Sequence, residues 1–133
     1  MKPVVMVVDD DPGVANLLCT LLISHGYIPV TASNGYDAIN LLSSSPNLKP
    51  DMIITDYSMP VLNGREFIEK ISSLSETKDI PVVMMSGSRI EEKDLPETAN
   101  YKGLVTKPFK INTLLEVIRR FTIERNDSPV VLA

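Results

Sequence analysis

The sequence has little cysteine and no excess of basic residues, and each of these absences narrows what the protein can be. Cys19 is the one cysteine among 133 residues, so the chain forms no internal disulfide, and its cysteine usage is compatible with a reducing cytosol. The chain has 13 lysines and arginines against 17 aspartates and glutamates, which gives a net charge of −4. This balance argues against a nucleic-acid-binding surface, because such surfaces are basic.

The sequence also lacks a long hydrophobic run. The apolar segment Val4–Val8 is cut off by three aspartates and is much shorter than a signal-peptide core or a transmembrane helix. No other stretch approaches a spanning length. We therefore expect a soluble protein in the cytoplasm, without a membrane partner and without direct contact to nucleic acid.

What the sequence does have is a regular alternation of apolar runs and helix-like segments. Hydrophobic residues make up 44% and charged residues 23% of the chain, as in an ordinary globular domain, and the length suits one domain. Apolar runs typical of buried strands lie at 4–8, 27–31, 52–55, 81–85 and 104–106. Helical segments are predicted at 12–25, 34–42, 67–74 and 111–121, with a short or broken helix in the polar, proline-containing segment 89–99.

This alternation predicts an α/β fold in which a doubly wound, five-stranded parallel sheet carries helices on both faces. In such sheets, ligands bind beyond the carboxyl ends of the strands, at the point where the strand order reverses. The first helix is expected to begin at Asp11-Pro12, because aspartate is a good N-cap and proline fits the first helical position. Asp11 is therefore interpreted as a capping residue rather than a metal ligand.

The polar residues that end the predicted strands form a chemically coherent set. Asp9 and Asp10 end the first strand, Asp56 the third, Ser86 the fourth and Lys107 the fifth. Clustered carboxylates repel one another unless a cation neutralises them, and an open site with oxygen ligands favours Mg²⁺. A carboxylate beside Mg²⁺ and a lysine has the parts that phosphoryl transfer needs, with aspartate as the nucleophile. The set therefore predicts a magnesium-dependent phosphoryl-transfer site.

With these segments in this order, the chain resembles the response-regulator receiver domains of two-component signalling. The resemblance covers about residues 3–123 and is carried by Val7-Val8-Asp9-Asp10-Asp11-Pro12, Asp56-Tyr57-Ser58-Met59-Pro60 with Asn63-Gly64, Met84-Met85-Ser86-Gly87 and Lys107-Pro108-Phe109. It implies a flavodoxin-like (βα)5 fold with strand order 2-1-3-4-5. We expect residues 1–123 to form the receiver domain and residues 124–133 to form a flexible C-terminal tail.

The resemblance implies a metal role for the acidic residues. Asp10 and Asp56 would bind Mg²⁺ together with the backbone carbonyl of Ser58. Asp9 would complete the acidic pocket around the ion. Mg²⁺ is then the expected cofactor of the chain.

The resemblance also implies that Asp56 accepts a phosphoryl group from a sensor histidine kinase or a phosphotransfer protein. Ser86 would bond a phosphoryl oxygen, Lys107 would pair with the phosphoryl group, and the Lys107-Pro108 peptide bond is expected to be cis. Gly87 would leave room over the site. The chain would then be a single-domain response regulator that signals by altered binding to an effector protein, not an enzyme acting on external substrates.

Two positions depart from the family pattern. Leu104 stands where many members carry Tyr or Phe, three residues before the lysine, and Tyr101 lies three residues earlier still. A leucine can repack, but it cannot swing an aromatic ring. Pro96 interrupts the fourth helix, which usually belongs to the output face. The route by which a signal would leave the domain therefore stays open at this point.

One other function is favoured by parts of the pattern, and two further functions are disfavoured. A receiver-like scaffold that binds its partner regardless of phosphorylation is favoured by Leu104 and Pro96. An aspartate-nucleophile phosphatase would typically carry a second acid two residues after the nucleophile, where this chain has Ser58. A flavin-binding relative would need an amide-rich phosphate loop after the first strand, where three aspartates would repel the phosphate.

Overall fold

The computed structural model describes residues 2–45 and 47–126. Its strands are β1 (Val4–Val8), β2 (Ile28–Ala32), β3 (Met52–Asp56), β4 (Val82–Ser86) and β5 (Tyr101–Thr106). Its helices are α1 (Pro12–Ser24), α2 (Gly35–Ser44), α3 (Gly64–Ser72) and α4 (Ile111–Asn126). All strand pairs are parallel and the order is β2-β1-β3-β4-β5, which confirms the doubly wound, flavodoxin-like fold predicted from the sequence.

The central strands are buried almost completely. Every residue of β3 and β4 is buried, and so is every residue of β1 after the first. These strands form continuous apolar runs because helices cover both faces of the sheet. The edge strands β2 and β5 are partly exposed.

Successive strand residues point to opposite faces and build two apolar layers. On one face, the helix residues that pack against the sheet come from α2 and α3: Ala38, Leu42, Phe67, Ile68 and Ile71. On the other face they come from α1 and α4: Leu18, Leu22, Leu114 and Ile118. The helices of each face therefore hold the sheet rigid, and the strand ends at its carboxyl edge are fixed in position.

Helices α1, α2 and α3 each begin at a side-chain cap, and the capped helices α1 and α3 follow the strands β1 and β3. The Asp11 side chain accepts hydrogen bonds from the Gly13 N–H at 2.8 Å and the Val14 N–H at 3.4 Å, which confirms its capping role. At the start of α3, Asn63 accepts from the Glu66 N–H at 2.8 Å, and the Glu66 side chain accepts from the Asn63 N–H at 3.0 Å. This reciprocal capping box fixes where α3 begins.

The chain departs from the predicted element pattern between β4 and β5. Among the described residues this segment holds a single 3₁₀ turn, Glu92–Asp94, so the structure has four α-helices instead of the five of a complete (βα)5 pattern. The sequence predicted a short or broken helix there, and Pro96, which lacks a backbone N–H, explains why no longer helix forms.

None of the helices in the described part of the chain combines the length and apolar character needed to span a bilayer.

Smaller differences concern element boundaries. β2 is displaced by one residue from the predicted 27–31. β5 begins at Tyr101 instead of the predicted 104. Its first half contains lysine and glycine, which are weak strand formers, so the sequence there lacks the pattern of a strand. α4 continues to Asn126, past the predicted boundary at 123, through the good helix formers Glu124 and Arg125. The rest of the predicted tail, residues 127–133, lies outside the described residues.

Candidate functional site

The carboxyl ends of β1 and β3 bring three acidic residues together. Asp9 directly follows β1, where its N–H donates to the Ala32 carbonyl at 3.1 Å, and Asp56 is the last residue of β3. One carboxylate oxygen each of Asp9, Asp10 and Asp56 lies within 4.8 Å of the other two. Asp9 and Asp56 are buried, whereas Asp10 is exposed. We call these three residues the acidic cluster, and it is open to solvent on the side of Asp10.

Lys107 reaches the acidic cluster from the end of β5. Its Nζ donates a hydrogen bond to Asp56 Oδ1 at 3.2 Å and lies 3.7 Å from Asp9 Oδ2. The Lys107 backbone N–H donates to the Ser86 carbonyl at 2.7 Å, which holds the end of β5 beside the end of β4. The Lys107-Pro108 peptide bond is cis, as expected. One ammonium thus pairs with two of the three carboxylates, so acidic groups outnumber the basic one at this edge of the sheet.

Asp9 is a buried carboxylate of the acidic cluster, and the backbone of Asp11 holds one of its oxygens. The pKa of the Asp9 carboxyl is raised, and burial is the largest cause. The charges of Asp56 and Asp10 also raise this pKa, whereas the charge of Lys107 and the Asp11 N–H, which donates to Oδ1 at 2.9 Å, lower it. Asp9 Oδ2 is buried and has no hydrogen-bond partner among the described residues. A set of carboxylate oxygens with one unsatisfied buried member suits a hard divalent cation. The residues present therefore fit Mg²⁺.

The two serines predicted for the site differ in burial. Ser86 is buried at the end of β4, where its hydroxyl donates to the Ser88 carbonyl at 2.7 Å and accepts from the Ser88 N–H at 3.2 Å. It would have to rotate away from Ser88 to bond a phosphoryl group. Ser58 is exposed two residues after Asp56, and the metal-binding role of its carbonyl stays a prediction.

A cleft of about 240 Å³ opens beside the acidic cluster, and Asp9, Asp10, Asn16 and Thr31 are among the residues that line it. Two larger clefts of about 420 Å³ each lie elsewhere, one at the ends of α2 and α3 and one between β5 and α4. No residue of the acidic cluster lines either of them. The site is therefore defined by its chemistry rather than by cleft size, because Asp9 and Asp10 border the small cleft.

Helix α3 begins directly against the end of β3. The Gly64 N–H donates to the Tyr57 carbonyl at 2.8 Å. A Cβ at Gly64 would lie 2.6 Å from the Asp56 carbonyl oxygen, 2.8 Å from the Tyr57 Cα and 3.1 Å from the Met84 Sδ. Two of these atoms belong to the backbone and cannot turn aside, so only glycine lets α3 start this close to Asp56.

Replacing Gly64 with alanine is expected to lower the free energy of unfolding by about 1–3 kcal/mol, because β3 and α3 must separate to admit the methyl group. Urea unfolding of the purified variant measures this loss. Gly87→Ala is the matched control, since a Cβ there would meet the Lys107 side chain at an ordinary 4.0 Å. An equal loss in both variants would contradict the close-contact explanation.

Val61, in the loop between β3 and α3, has a φ of 69° although its side chain is 84% exposed and packs little. The Leu62 N–H donates to the Pro60 carbonyl at 2.7 Å and closes a tight turn around it. Positive φ costs a non-glycine residue about 1–2 kcal/mol, and asparagine tolerates it better than valine. Val61→Asn is therefore expected to raise the unfolding free energy by about 1 kcal/mol in chemical denaturation. Val61→Thr, which keeps the β-branch, should show no such gain.

Leu104, which departs from the family pattern, and Tyr101, three residues earlier on β5, are both partly buried. Leu104 and Tyr101 pack against the apolar layer that α2 and α3 cover. Burial raises the pKa of the Tyr101 hydroxyl. Tyr101 is the first residue of β5 and so lies at the end of the strand remote from Lys107. Tyr101 therefore does not take the place of the aromatic residue that Leu104 replaces.

Arg65 makes contacts that the sequence analysis did not predict. Its Nη1 donates to the Lys93 carbonyl at 2.9 Å and lies 3.8 Å from Asp94 Oδ1, while its Nε donates to Glu69 Oε2 at 3.1 Å. The spacing of Arg65 and Glu69 is a readable helix signal. Lys93, its backbone partner in the 3₁₀ turn, is 28 residues away in the chain, and no local pattern points to it.

Comparison with known sequences gives a family. The family model described as "Response regulator receiver domain" matches residues 5–119. The chain is 32% identical over 135 residues to the phosphate regulon transcriptional regulatory protein PhoB of Escherichia coli (strain K12), in a match that covers 96% of this chain and 54% of that protein. The chain thus spans about half the length of this curated relative.

Comparison with solved structures gives the same fold. The chemotaxis protein CheY4 of Vibrio cholerae has a TM-score of 0.79 and 30% identity, with 91% of this chain and 99% of that chain covered. TrrA of Thermotoga maritima, solved in complex with Mg²⁺-BeF, has a TM-score of 0.77 and 29% identity over the same shares. Both solved chains are therefore matched over nearly their whole length.

Proposed function

The chain belongs to the response regulator receiver domain family, and on that premise we propose that Asp56 accepts a phosphoryl group from a histidine kinase or a phosphotransfer protein. The observation that carries the proposal is Lys107 Nζ at 3.2 Å from Asp56 Oδ1, beside two further carboxylates. The output would be altered binding to an effector protein rather than turnover of an external substrate. A cytoplasmic site of action, with no direct contact to nucleic acid or membrane, fits this role.

Transfer would proceed by attack of an Asp56 carboxylate oxygen on the phosphorus of a donor phosphohistidine. An O–P bond forms as the P–N bond breaks, and the leaving imidazole nitrogen takes a proton from solvent, so the products are an aspartyl phosphate and a histidine. Lys107 would shift its ammonium from the carboxylate to a phosphoryl oxygen and offset the charge there. The Ser86 hydroxyl would leave the Ser88 carbonyl and bond a second phosphoryl oxygen.

Asp9, Asp10 and Asp56 would hold Mg²⁺ together with the backbone carbonyl of Ser58. The bound ion would neutralise the clustered carboxylates and stabilise charge on the phosphoryl oxygens. Two observations support this assignment: the buried Asp9 Oδ2 lacks a hydrogen-bond partner among the described residues, and the related TrrA was solved as a Mg²⁺-BeF complex.

The test is to incubate the full chain with acetyl phosphate and Mg²⁺ and to follow its intact mass. A gain of about 80 Da is expected, and it should disappear on prolonged incubation without donor because an acyl phosphate hydrolyses. The same incubation with a metal chelator should give little or no gain. No mass gain in the presence of Mg²⁺ would reject the proposal.

A second candidate function is a scaffold that binds its partner whether or not Asp56 is phosphorylated. It is favoured by Leu104, which packs in the core without an aromatic ring to reorient, and by the 3₁₀ turn that stands in place of a helix. Equal partner affinity with and without the phosphoryl mimic beryllofluoride would support the scaffold. An affinity change would support phosphorylation-controlled binding.

A further inference from the structure

The segment between β4 and β5, residues 87–100, has little regular structure of its own, and we call it the β4–β5 connection. Apart from the turn at Glu92–Asp94 it forms no helix. Ile90 and Leu95 pack against the core from it, both only partly buried. Segments with few buried apolar contacts belong to the less stable parts of a domain and can move without global unfolding. The end of the connection is anchored, because the buried Asn100 Nδ2 donates to the Ile68 carbonyl at 3.2 Å, so its middle is the less firmly packed part.

Arg65 ties the middle of this connection to α3. Its guanidinium donates to the Lys93 carbonyl at 2.9 Å and lies 3.8 Å from Asp94 Oδ1, so it holds both backbone and side chain of the turn. Glu69, one turn further along α3, orients the same guanidinium at 3.1 Å. The planar, forked guanidinium can make these contacts together, which a lysine ammonium could not reproduce in the same geometry.

The residue before Arg65 is the one that touches the backbone of Asp56. Gly64 lies so close to β3 that a Cβ would come within 2.6 Å of the Asp56 carbonyl oxygen, and its N–H donates to Tyr57 at 2.8 Å. The capping box of Asn63 and Glu66 makes this first turn of α3 a rigid unit. A backbone shift at Asp56 or Tyr57 must therefore move the start of α3, and Arg65 moves with it.

We propose that Arg65 is a positioning residue that couples the phosphorylation state of Asp56 to the position of the β4–β5 connection. The inference rests on the proposed function. A phosphoryl group would add negative charge at Asp56, and a shift of the Asp56 backbone in response would press on Gly64 and move the start of α3. Arg65 passes this displacement to Lys93 and Asp94 by direct contact. The hydrogen bonds between Ser86 and Ser88 link the start of the connection to the site, whereas Arg65 holds its middle at Lys93 and Asp94.

The experiment is hydrogen–deuterium exchange of the full chain with and without beryllofluoride and Mg²⁺, read on peptides that cover residues 90–98. The wild type is expected to change its exchange in these peptides when the mimic binds. In Arg65→Gln this change should be largely lost, because the contact of the guanidinium with the Lys93 carbonyl and Asp94 is removed. Glu69→Gln is the matched control, because its amide oxygen can still accept from Arg65 Nε and the contact with Lys93 is kept, so it should respond like the wild type.

Phosphorylation of the same variants by acetyl phosphate separates the inference from the function it rests on. Arg65→Gln should still gain mass, because Arg65 does not belong to the acidic cluster. A wild-type response of residues 90–98 that persists in Arg65→Gln would overturn the coupling and leave the phosphoacceptor role intact. A wild-type chain that never gains mass would overturn both. Asp94→Asn, which weakens the contact from the other side, should reduce the response in a chain with the wild-type Arg65.

Discussion

Asp56→Asn is expected to abolish the mass gain of about 80 Da that acetyl phosphate and Mg²⁺ produce in the wild type. The amide nitrogen and oxygen of asparagine cannot form an acyl phosphate under these conditions, so the loss should be complete rather than partial. The side chains are nearly equal in size, and the variant keeps a hydrogen-bond acceptor for Lys107 Nζ, which lies 3.2 Å from Asp56 Oδ1. Intact-mass spectrometry of both proteins measures the difference directly.

Asp11→Asn is the control for this substitution, because it also removes one carboxylate from the aspartates near the site. The Asp11 side chain caps α1 by accepting from the Gly13 N–H at 2.8 Å, and asparagine caps a helix equally well. Asp11→Asn should therefore be phosphorylated like the wild type. A mass gain that survives in Asp56→Asn would place the phosphoryl group on another residue and refute the assignment.

The convergence of the site residues could be predicted because it follows from the topology. β1, β3 and β4 are buried on both faces, so their sequences are uninterrupted apolar runs that stop abruptly at Asp9, Asp56 and Ser86. In a parallel sheet all such ends meet at one edge. The position of Lys107 followed in the same way, even though the first half of β5 was missed, because the strand end rather than its start places the lysine.

The contacts of α3 could not be predicted, because they depend on distances between segments that are remote in sequence. Arg65 meets Lys93 across 28 positions, and nothing in either local pattern indicates the other. From the sequence, Gly64 is indistinguishable from an ordinary turn glycine. In the structure, the absence of a side chain at Gly64 allows α3 to begin this close to Asp56. The burial of Asp9 Oδ2 without a hydrogen-bond partner among the described residues is likewise a property of packing and not of spacing.

Mg²⁺ is expected to raise the thermal stability of the wild-type chain strongly. Asp9, Asp10 and Asp56 lie within 4.8 Å of one another, and one lysine does not neutralise them. An ion that binds this folded site but not the unfolded chain shifts the folding equilibrium by mass action. At about 100 times its Kd the gain is about 2.7 kcal/mol, or roughly 10 °C in Tm for a domain of this size. Circular dichroism melts with Mg²⁺ and with a chelator measure the shift.

Asp10→Asn should have two opposite effects on these melts. Without metal it should be more stable than the wild type, because removing one of three clustered charges relieves repulsion at the acidic cluster. With Mg²⁺ it should lose most of the stabilisation, since an amide is a weaker ligand than a carboxylate. Asp11→Asn, whose side chain caps α1, should keep the full response. Identical melts of the wild type with and without Mg²⁺ would refute the metal site. If Asp10→Asn is the more stable protein without metal and the less stable one with Mg²⁺, charge repulsion and metal binding involve the same carboxylates.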